Sequence, residues 1–430
     1  MTHIAKVLAR EILDSRGTPT IEAEVVLTDG ATATAAVPSG ASAGRHEALE
    51  LRDGDMRRYR GNGVMKAVDN VEKIIAPEMI GLRAFDQEHV DSVIVDLDGT
   101  SNKSRLGANA TLAVSLAVSK AAAVSEGCSL YQSIGCESEF EMPVPMFNIL
   151  NGGMHARNST DIQEFMVVPS GLGSYKEALR AGSEIYRALG DTINQLEYST
   201  TVGDEGGFAP AGLTNHRALE MIVSAIERAG YGPGEECFIG IDVAASVLIQ
   251  DGRYHFAGDR RELDFEALID CYQSWAREFC LISIEDGMGE DDWDGWSALT
   301  ERLGGMVQIV GDDLYTTNKC RLQHGLDLGA SNAILLKVNQ IGTLTETISA
   351  FHMARDAGWG TIISHRSGET EDTTIADLAV AFGAGQIKAG APCRSERVAK
   401  YNRLLRIEEE LGHNVKYSGM GPYKTIGYVT

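Results

Sequence analysis

LISIED at residues 281–286 is the first of five consecutive runs that decide the fold of this chain. The other four are VQIVGDD (307–313), AILLKV (333–338), TIISH (361–365) and GQIKAG (385–390). Each run is short and apolar, and helical patterns separate one run from the next. Three similar runs lie upstream: PVPMFNIL (143–150), IQEFMVVP (162–169) and CFIGIDV (237–243). Eight strand-like runs that alternate with helices predict a closed β/α barrel more than an open sheet.

The N-terminal part of the chain has a different pattern. Residues 3–37 contain short runs rich in Val, Ile and Thr, separated by Gly, Pro and Asp, which predict antiparallel strands. Helical patterns follow at 63–81 and 107–127, where apolar residues recur every three or four positions. The sequence therefore predicts an α/β protein with a smaller N-terminal α+β domain at 1–135 and a C-terminal β/α (TIM-like) barrel domain at 136–430.

Composition excludes several classes of partner. The 430 residues include 38 Lys and Arg against 61 Asp and Glu, a formal charge of −23, which repels nucleic acid and favours cations. No apolar run approaches the roughly 18 residues that span a bilayer, and Arg10 and Glu11 interrupt any secretory signal. The seven cysteines show no CxxC spacing. We expect a cytoplasmic protein with reduced thiols and neither a nucleic-acid nor a membrane partner.

Polar residues recur where the apolar runs stop. The last five of them are 23 to 28 residues apart, about one βα unit each; the full set is Asp242, Glu285, Asp312, Lys337, His365 and Lys388. In a β/α barrel the carboxyl ends of the strands meet at one face, so we expect these side chains to converge. One acid after a strand is usually a helix cap or a turn former, but lysine cannot cap a helix N-terminus.

This residue set suits metal-assisted proton transfer. Asp242, Glu285 and Asp312 supply the oxygen ligands that Mg²⁺ prefers. A lysine in the positive field of such a metal has a lowered pKa and can act as a base at neutral pH. The alternative is a Schiff-base lysine of an aldolase-type barrel, but imine chemistry does not need three metal-binding carboxylates.

Further candidates lie in loops and at strand edges. Arg366 and Ser367 in SHRSGETED offer donors suited to phosphate or carboxylate, although a surface arginine in a turn is the alternative. Glu205 lies in the glycine-rich GDEGGFAP, where a solvated loop acid is the default reading. Glu164 precedes a buried apolar run that could raise its pKa. His155 follows the first barrel strand, and on its own it is more often structural.

The whole chain resembles the enolase (phosphopyruvate hydratase) family. The longest and most specific matches are LLKVNQIGTLTET (335–347) and SHRSGETED (364–372). The others are REILDSRGTPT, PSGASAGRHEALELRDGD, NGGMHARN, DIQEFM, GDEGGFAP, the SIED run, DDWDGW, GDDLYTTN and QIKAGAP with RSER. The family's architecture, a small α+β domain followed by a barrel, agrees with the prediction above.

The resemblance implies a role for each matching residue. Asp242, Glu285 and Asp312 would bind a first Mg²⁺, and Ser42 in a closing loop would help to hold a second. Lys337 would be the base and Glu205 the general acid. The remaining groups would assist catalysis or contact substrate: Glu164, His365, His155, Gln163, Arg366, Ser367 and Lys388. The implied reaction is the reversible dehydration of 2-phospho-D-glycerate to phosphoenolpyruvate in glycolysis and gluconeogenesis, in a homodimer or a higher homo-oligomer.

Three positions differ from the usual pattern of the family. Ala43 replaces a threonine in the closing loop, Ala389 replaces a small hydroxyl residue, and Val247 stands where a glutamate is usual. One alternative is therefore a diverged superfamily enzyme that acts with one metal on a non-phosphorylated carboxylate, although the Arg366–Ser367 pair and the Ser42 loop argue against it. Another is a binding role with some cell-surface presence; the retained chemical groups argue against this as the main function.

Overall fold

A three-stranded antiparallel sheet begins the fold. The computed structural model describes residues 2–40, 44–135, 139–412, 415–424 and 426–427. The sheet has the strand order β1-β2-β3, and its strands are β1 (Ile4–Leu13), β2 (Pro19–Leu27) and β3 (Thr32–Ala36). These strands lie within the region predicted from the sequence.

Five helices follow the sheet. They are α1 (Met65–Asn70), α2 (Ala76–Met79), α3 (Gln87–Asp98), α4 (Ala108–Glu126) and α5 (Leu130–Ile134). The single helix expected at 63–81 is divided, because a π-helical turn at Val71–Ile75 joins α1 to α2. Pro77 lies at the start of α2 and has no backbone N–H to donate, which favours such an irregular turn just before it.

Helix α4 is the core of the N-terminal domain. It packs against β2 and β3, and most of its residues are buried. Within the part of the chain that the structure describes, α4 is the one helix that is long and apolar enough to cross a membrane. However, 83% of its apolar window is buried inside the protein, as is usual for a core helix. Lys120 of α4 pairs with Asp372 of the barrel at 2.8 Å, which ties the two domains together.

The C-terminal part is a closed eight-stranded barrel. Its strands are β5 (Val144–Asn151), β6 (Glu164–Val168), β7 (Phe238–Asp242), β11 (Leu281–Glu285), β12 (Gln308–Gly311), β13 (Ala333–Leu336), β14 (Gly360–Ser364) and β15 (Gly385–Gly390). Around the ring these strands follow the order β11-β12-β13-β14-β15-β5-β6-β7. The short strands outside the barrel are β4 (Glu141–Met142), β8 (Ile249–Gln250), β9 (Arg253–Phe256), β10 (Arg261–Leu263) and β16 (Lys416–Tyr417). All eight predicted strands are present, so the barrel prediction is confirmed.

Helices surround the barrel, both in the connections between its strands and after the last strand. They are α6 (Tyr175–Gln195), α7 (Asn215–Arg228), α8 (Phe265–Glu278), α9 (Trp293–Leu303), α10 (Lys319–Leu328), α11 (Val338–Ile341), α12 (Leu344–Asp356), α13 (Thr374–Ala381) and α14 (Ser395–Leu411). Several begin at side-chain caps, such as Ser174 before α6 and Thr214 before α7, each of which accepts a backbone N–H of the first turn.

One barrel strand runs against the others. β6 pairs antiparallel with both β5 and β7, whereas the other neighbouring pairs are parallel. The segment between β5 and β6 contains a short 3₁₀ turn, Gly153–His155, and no α-helix to carry the chain back for a parallel pairing. The expectation that every strand presents its carboxyl end to one face is therefore wrong for β6, which presents its first residue, Glu164.

The barrel interior is divided between an apolar end and a polar end. An apolar cluster combines residues from seven barrel strands, including Val144, Val168 and Phe238, with Tyr423 and Ile426. On β5 and β7 these residues lie near the strand start, and on the reversed β6 they lie toward the strand end. The apolar cluster therefore fills the end of the barrel away from Asp242 and Glu164.

Candidate functional site

The polar end of the barrel brings together residues that lie in or next to all eight strands, with one further residue from a longer loop. Asp242 and Glu285 end β7 and β11 and are paired in register, and Glu164 is paired in register with Asp242 from the other side. Asp312 and Lys337 directly follow β12 and β13. The other contributors are Lys388 within β15, the segment His365–Ser367 after β14, His155 in the turn after β5, and Glu205 in the loop before α7.

These residues line a cavity that opens to solvent. Its walls include eleven of the side chains predicted from the sequence: His155, Gln163, Glu164, Glu205, Asp242, Asp312, Lys337, His365, Arg366, Ser367 and Lys388. Glu285 lies behind Lys388 and contacts it directly. Ser42, the last predicted site residue, lies outside the described residues, as does Ala43.

Lys388 is surrounded by carboxylates. Its Nζ lies 3.1 Å from Glu164 Oε2, 3.1 Å from Asp242 Oδ2, and 2.9 and 2.8 Å from the two oxygens of Glu285. Burial would lower the pKa of Lys388, but these carboxylates raise it well above its ordinary value. Lys388 therefore stays charged and holds three strands together.

Lys337 contacts a different carboxylate. Its ammonium group donates to Asp312 Oδ2, while Gln340 Nε2 donates to the other oxygen, Oδ1, at 3.0 Å. Burial would lower the pKa of Lys337, but the carboxylate of Asp312 raises it. This direction is opposite to the lowered pKa expected from the sequence, which supposed that a cation shares the carboxylate of Asp312.

Glu164 and Glu205 form a second acidic group, separated by an imidazole. His155 Nδ1 is 3.6 Å from Glu164 Oε1, and His155 Nε2 is 3.7 Å from Glu205 Oε1. Burial and the nearby Glu205 raise the pKa of Glu164 well above its ordinary value. Burial would also raise the pKa of Glu205, but His365, His155 and Arg397 lower it instead. Of this pair, Glu164 therefore favours the protonated form and Glu205 the ionised form.

Glu205 is also held by neutral donors. Asn148 Nδ2 donates to Glu205 Oε2 at 2.9 Å, and His365 Nε2 lies 3.3 Å from the same oxygen. Burial lowers the pKa of His365 to about 4, so this ring is neutral at pH 7. A neutral His365 stabilises the Glu205 carboxylate through its N–H and not through a full positive charge.

Arg366 is held from the N-terminal domain. Its Nη1 and Nη2 each lie 3.0 Å from an oxygen of Glu47, and Nη1 also donates to Asn339 Oδ1 at 3.0 Å. Glu47 Oε1 accepts the backbone N–H of Gly44 at 3.0 Å, and Gly44 directly follows the segment that is predicted to close over the site. Glu47 therefore contacts both Gly44 and the guanidinium group of Arg366.

The donor set fits a hard divalent cation. The cavity walls hold six carboxylates, those of Glu164, Glu205, Asp242, Asp286, Asp312 and Asp313, against the three cations Lys337, Arg366 and Lys388. Burial and repulsion from Asp312 raise the pKa of Asp313 to about 7, as expected where negative charge is in excess. Ligand atoms of Asp286, Asp312 and Asp313 lie within 4.8 Å of one another, and those of His155, Glu164 and Glu205 form a second such group.

The predicted triad of metal ligands is divided in this arrangement. Asp242 and Glu285 face Lys388, and Asp312 faces Lys337. All three are buried oxygen ligands at the ends of the neighbouring strands β7, β11 and β12, so they could hold Mg²⁺. Asp286 accepts the backbone N–H groups of Asp312 and Asp313, both at 2.9 Å, and thereby fixes the loop that carries them.

Several functional residues did not follow from the strand-end pattern. Asp286 and Asp313 each follow a predicted ligand directly, so the paired acids in SIED and GDD were the available signal. Arg397 lies in RSER and Glu47 in GRHEALE, both within matching stretches, but nothing in their spacing points to the cavity. Val247 lines the cavity and is 46% exposed, whereas Ala389 is buried next to Lys388.

Two protein-family models match the chain. The model described as "Enolase, N-terminal domain" matches residues 4–134. The model described as "Enolase, C-terminal TIM barrel domain" matches residues 139–426, which include the whole barrel and every predicted site residue except Ser42. Ser42 falls within the N-terminal match. The two matches together account for nearly all of the chain.

Proposed function

Because the chain belongs to the enolase family and is a lyase of the enolase superfamily, we propose that it catalyses the reversible dehydration of 2-phospho-D-glycerate to phosphoenolpyruvate. The observation that carries this proposal is the arrangement of basic and acidic groups across one cavity. Lys337 follows β13 and Glu164 begins β6, and these strands are four apart in the eight-stranded ring, on opposite sides of the barrel. Such an arrangement allows a proton to be removed from one face of the substrate while another is delivered to the opposite face.

In the proposed mechanism Lys337 takes the C2 proton of the substrate. Lys337 must be neutral to do so, and the charged Lys388 nearby favours that form through repulsion. The substrate carboxylate then carries the enolate charge, which Mg²⁺ bound by Asp242, Glu285 and Asp312 would neutralise. We propose two Mg²⁺ ions per site, the second held with the help of Ser42.

The second step expels hydroxide from C3. Hydroxide is a poor leaving group, so the Glu205–Glu164 pair supplies a proton and water leaves. The electron pair of the broken C2–H bond becomes the new C2–C3 double bond, and the C3–O bond electrons leave with the water. Arg366 and Ser367 would bind the phosphate, while Gln163, His155 and His365 contact the remaining oxygens of the substrate.

A spectrophotometric assay tests this function. Purified protein given 2-phosphoglycerate and Mg²⁺ should produce the ultraviolet absorbance of phosphoenolpyruvate, and Lys337→Ala should not. Folded, metal-loaded protein that forms no phosphoenolpyruvate would reject the proposal. It would favour a superfamily enzyme that acts on a non-phosphorylated carboxylate.

A further inference from the structure

Arg397 lies just outside the cavity and contacts four groups that build its wall. It belongs to the first turn of α14, and its side chain is fully buried. Nη1 lies 2.6 Å from His365 Nδ1 and donates to the backbone carbonyl of Arg366 at 2.6 Å. Nη2 donates to the carbonyl of Asp204 at 3.1 Å and also to the carbonyl of Ser367.

These contacts determine the tautomer of His365. A guanidinium group has N–H donors and no acceptor, so His365 Nδ1 must accept the hydrogen bond with its lone pair. In a neutral imidazole the proton is then on Nε2. His365 Nε2 is the ring nitrogen that faces Glu205 Oε2, at 3.3 Å. The N–H of His365 is therefore directed at Glu205 because Arg397 occupies the opposite side of the ring.

The same guanidinium also fixes the spacing between two segments of the wall. Asp204 precedes Glu205 in its loop, whereas Arg366 and Ser367 belong to the segment after β14. The contact of His365 Nε2 with Glu205 Oε2 also joins these segments, whereas the backbone oxygen of Glu205 accepts the N–H of Ala391 at 3.0 Å and ties the loop to the end of β15. Loss of Arg397 would therefore remove one hydrogen bond from the ring of His365 and one from the loop of Glu205.

We infer that Arg397 is a positioning residue for the dehydration proposed above, which holds His365 in the tautomer protonated on Nε2 and aligns it with Glu205. This role rests on the proposed function, because it matters for turnover only if Glu205 takes part in the reaction. The tautomer itself is a property of the folded protein and can be measured without substrate.

Nitrogen-15 NMR of histidine-labelled protein tests the inference. Long-range proton–nitrogen spectra distinguish the two neutral tautomers and the charged ring, and His365→Gln identifies the signals of His365. We expect wild-type His365 to be neutral with the proton on Nε2. Arg397→Met should abolish this fixed pattern, and kcat should fall about 10²-fold, a loss typical of a misplaced acid–base group. Arg397→Lys can still donate a hydrogen bond to His365 Nδ1, so it should retain part of the fixed tautomer pattern and part of the wild-type kcat.

Arg403→Met is the matched control. Arg403 lies on the same helix and pairs with Asp377 and Glu410, away from the cavity, so its loss should leave the His365 signals unchanged. A wild-type His365 that is charged, or protonated on Nδ1, would overturn the inference even if Arg397→Met failed to fold. An Arg397→Met variant with unchanged tautomer and kcat would also overturn it. Absence of phosphoenolpyruvate formation by the wild type would instead reject the proposed function and leave the tautomer measurement intact.

Discussion

Replacement of Lys388 by methionine should lower the free energy of unfolding, because carboxylates outnumber cations in the cavity. Lys388 Nζ contacts Glu164, Asp242 and Glu285 at 2.8 to 3.1 Å, and all four side chains are buried. Methionine has a similar length but no charge, so the variant leaves the carboxylates without their shared cation. Removal of one partner from a buried ionic group typically destabilises a protein by about 3–5 kcal/mol.

Protonation of one of these carboxyl groups sets an upper limit to this loss of stability. Near pH 7 the variant can take up one further proton to relieve the repulsion. Protonation of a glutamate with an ordinary pKa of about 4.3 requires about 1.4 kcal/mol per pH unit, or about 4 kcal/mol at pH 7. A carboxyl whose pKa is raised in the folded state holds a proton that the unfolded chain releases, so stability is lost as the pH rises. The loss should therefore be about 1.4 kcal/mol smaller at pH 6 than at pH 7.

Urea unfolding in chelator at several pH values measures this effect. Lys416→Met serves as the control, because Lys416 is 75% exposed and its pair with Glu141 at 2.8 Å should contribute little. Added Mg²⁺ should stabilise Lys388→Met more than the wild type, since a cation can replace part of the missing charge. A variant as stable as the wild type at pH 7, or a deficit that does not change between pH 6 and pH 8, would refute this account of the cluster.

Three further outcomes are expected. In D₂O, Glu205→Gln should still exchange the C2 proton of 2-phosphoglycerate for deuterium, while its turnover falls about 10²–10⁴-fold. Lys337→Ala should lose both the exchange and the turnover. Exchange that survives in Lys337→Ala but not in Glu205→Gln would mean that the roles of base and acid are reversed. Chelation of Mg²⁺ should abolish activity, and full activity in metal-free buffer would contradict the metal assignment. Calorimetry should show weaker Mg²⁺ binding by Asp312→Ala. Asp327→Ala is the control and should bind Mg²⁺ like the wild type, because Asp327 is exposed. Substrate with Mg²⁺ should slow proteolysis within residues 38–45, because Gly40 and Gly44 allow the segment between them to close; cleavage that ignores ligand would contradict a closing loop.

The sequence predicts the barrel and its polar end for a simple physical reason. Buried strands must be apolar, so the first polar residue after each run marks the end of the strand. Asp242, Glu285, Asp312 and Lys337 are visible in this way, and the last three follow one another at intervals of about one βα unit. At these residues the position at the end of an apolar run also predicts the position in the folded protein, because the barrel brings the ends of these parallel strands to the same face.

The direction of β6 could not be predicted from the same pattern. An apolar run reads equally well in either direction, and direction depends on the connection that precedes the strand. The roles of Arg397 and Glu47 were not predicted, for a related reason. Arg397 reaches the site from the first turn of α14, and Glu47 reaches Arg366 across the domain boundary, with 319 residues between them along the chain. Such contacts are fixed by packing and leave no periodic signal.

The reversal of β6 also changes what surrounds one carboxyl group of the cavity. The segments that follow the other strands turn their backbone N–H groups toward nearby acids: Asp242 Oδ1 accepts the N–H of Ala244 at 3.0 Å, and Asp286 accepts those of Asp312 and Asp313 after the neighbouring strand. Glu164 begins its strand, so the N–H groups that follow it enter the sheet instead of turning back toward its side chain. Burial and the nearby Glu205 raise the pKa of Glu164 well above its ordinary value. The direction of a single strand therefore places a carboxyl group that favours its protonated form across the barrel from Lys337.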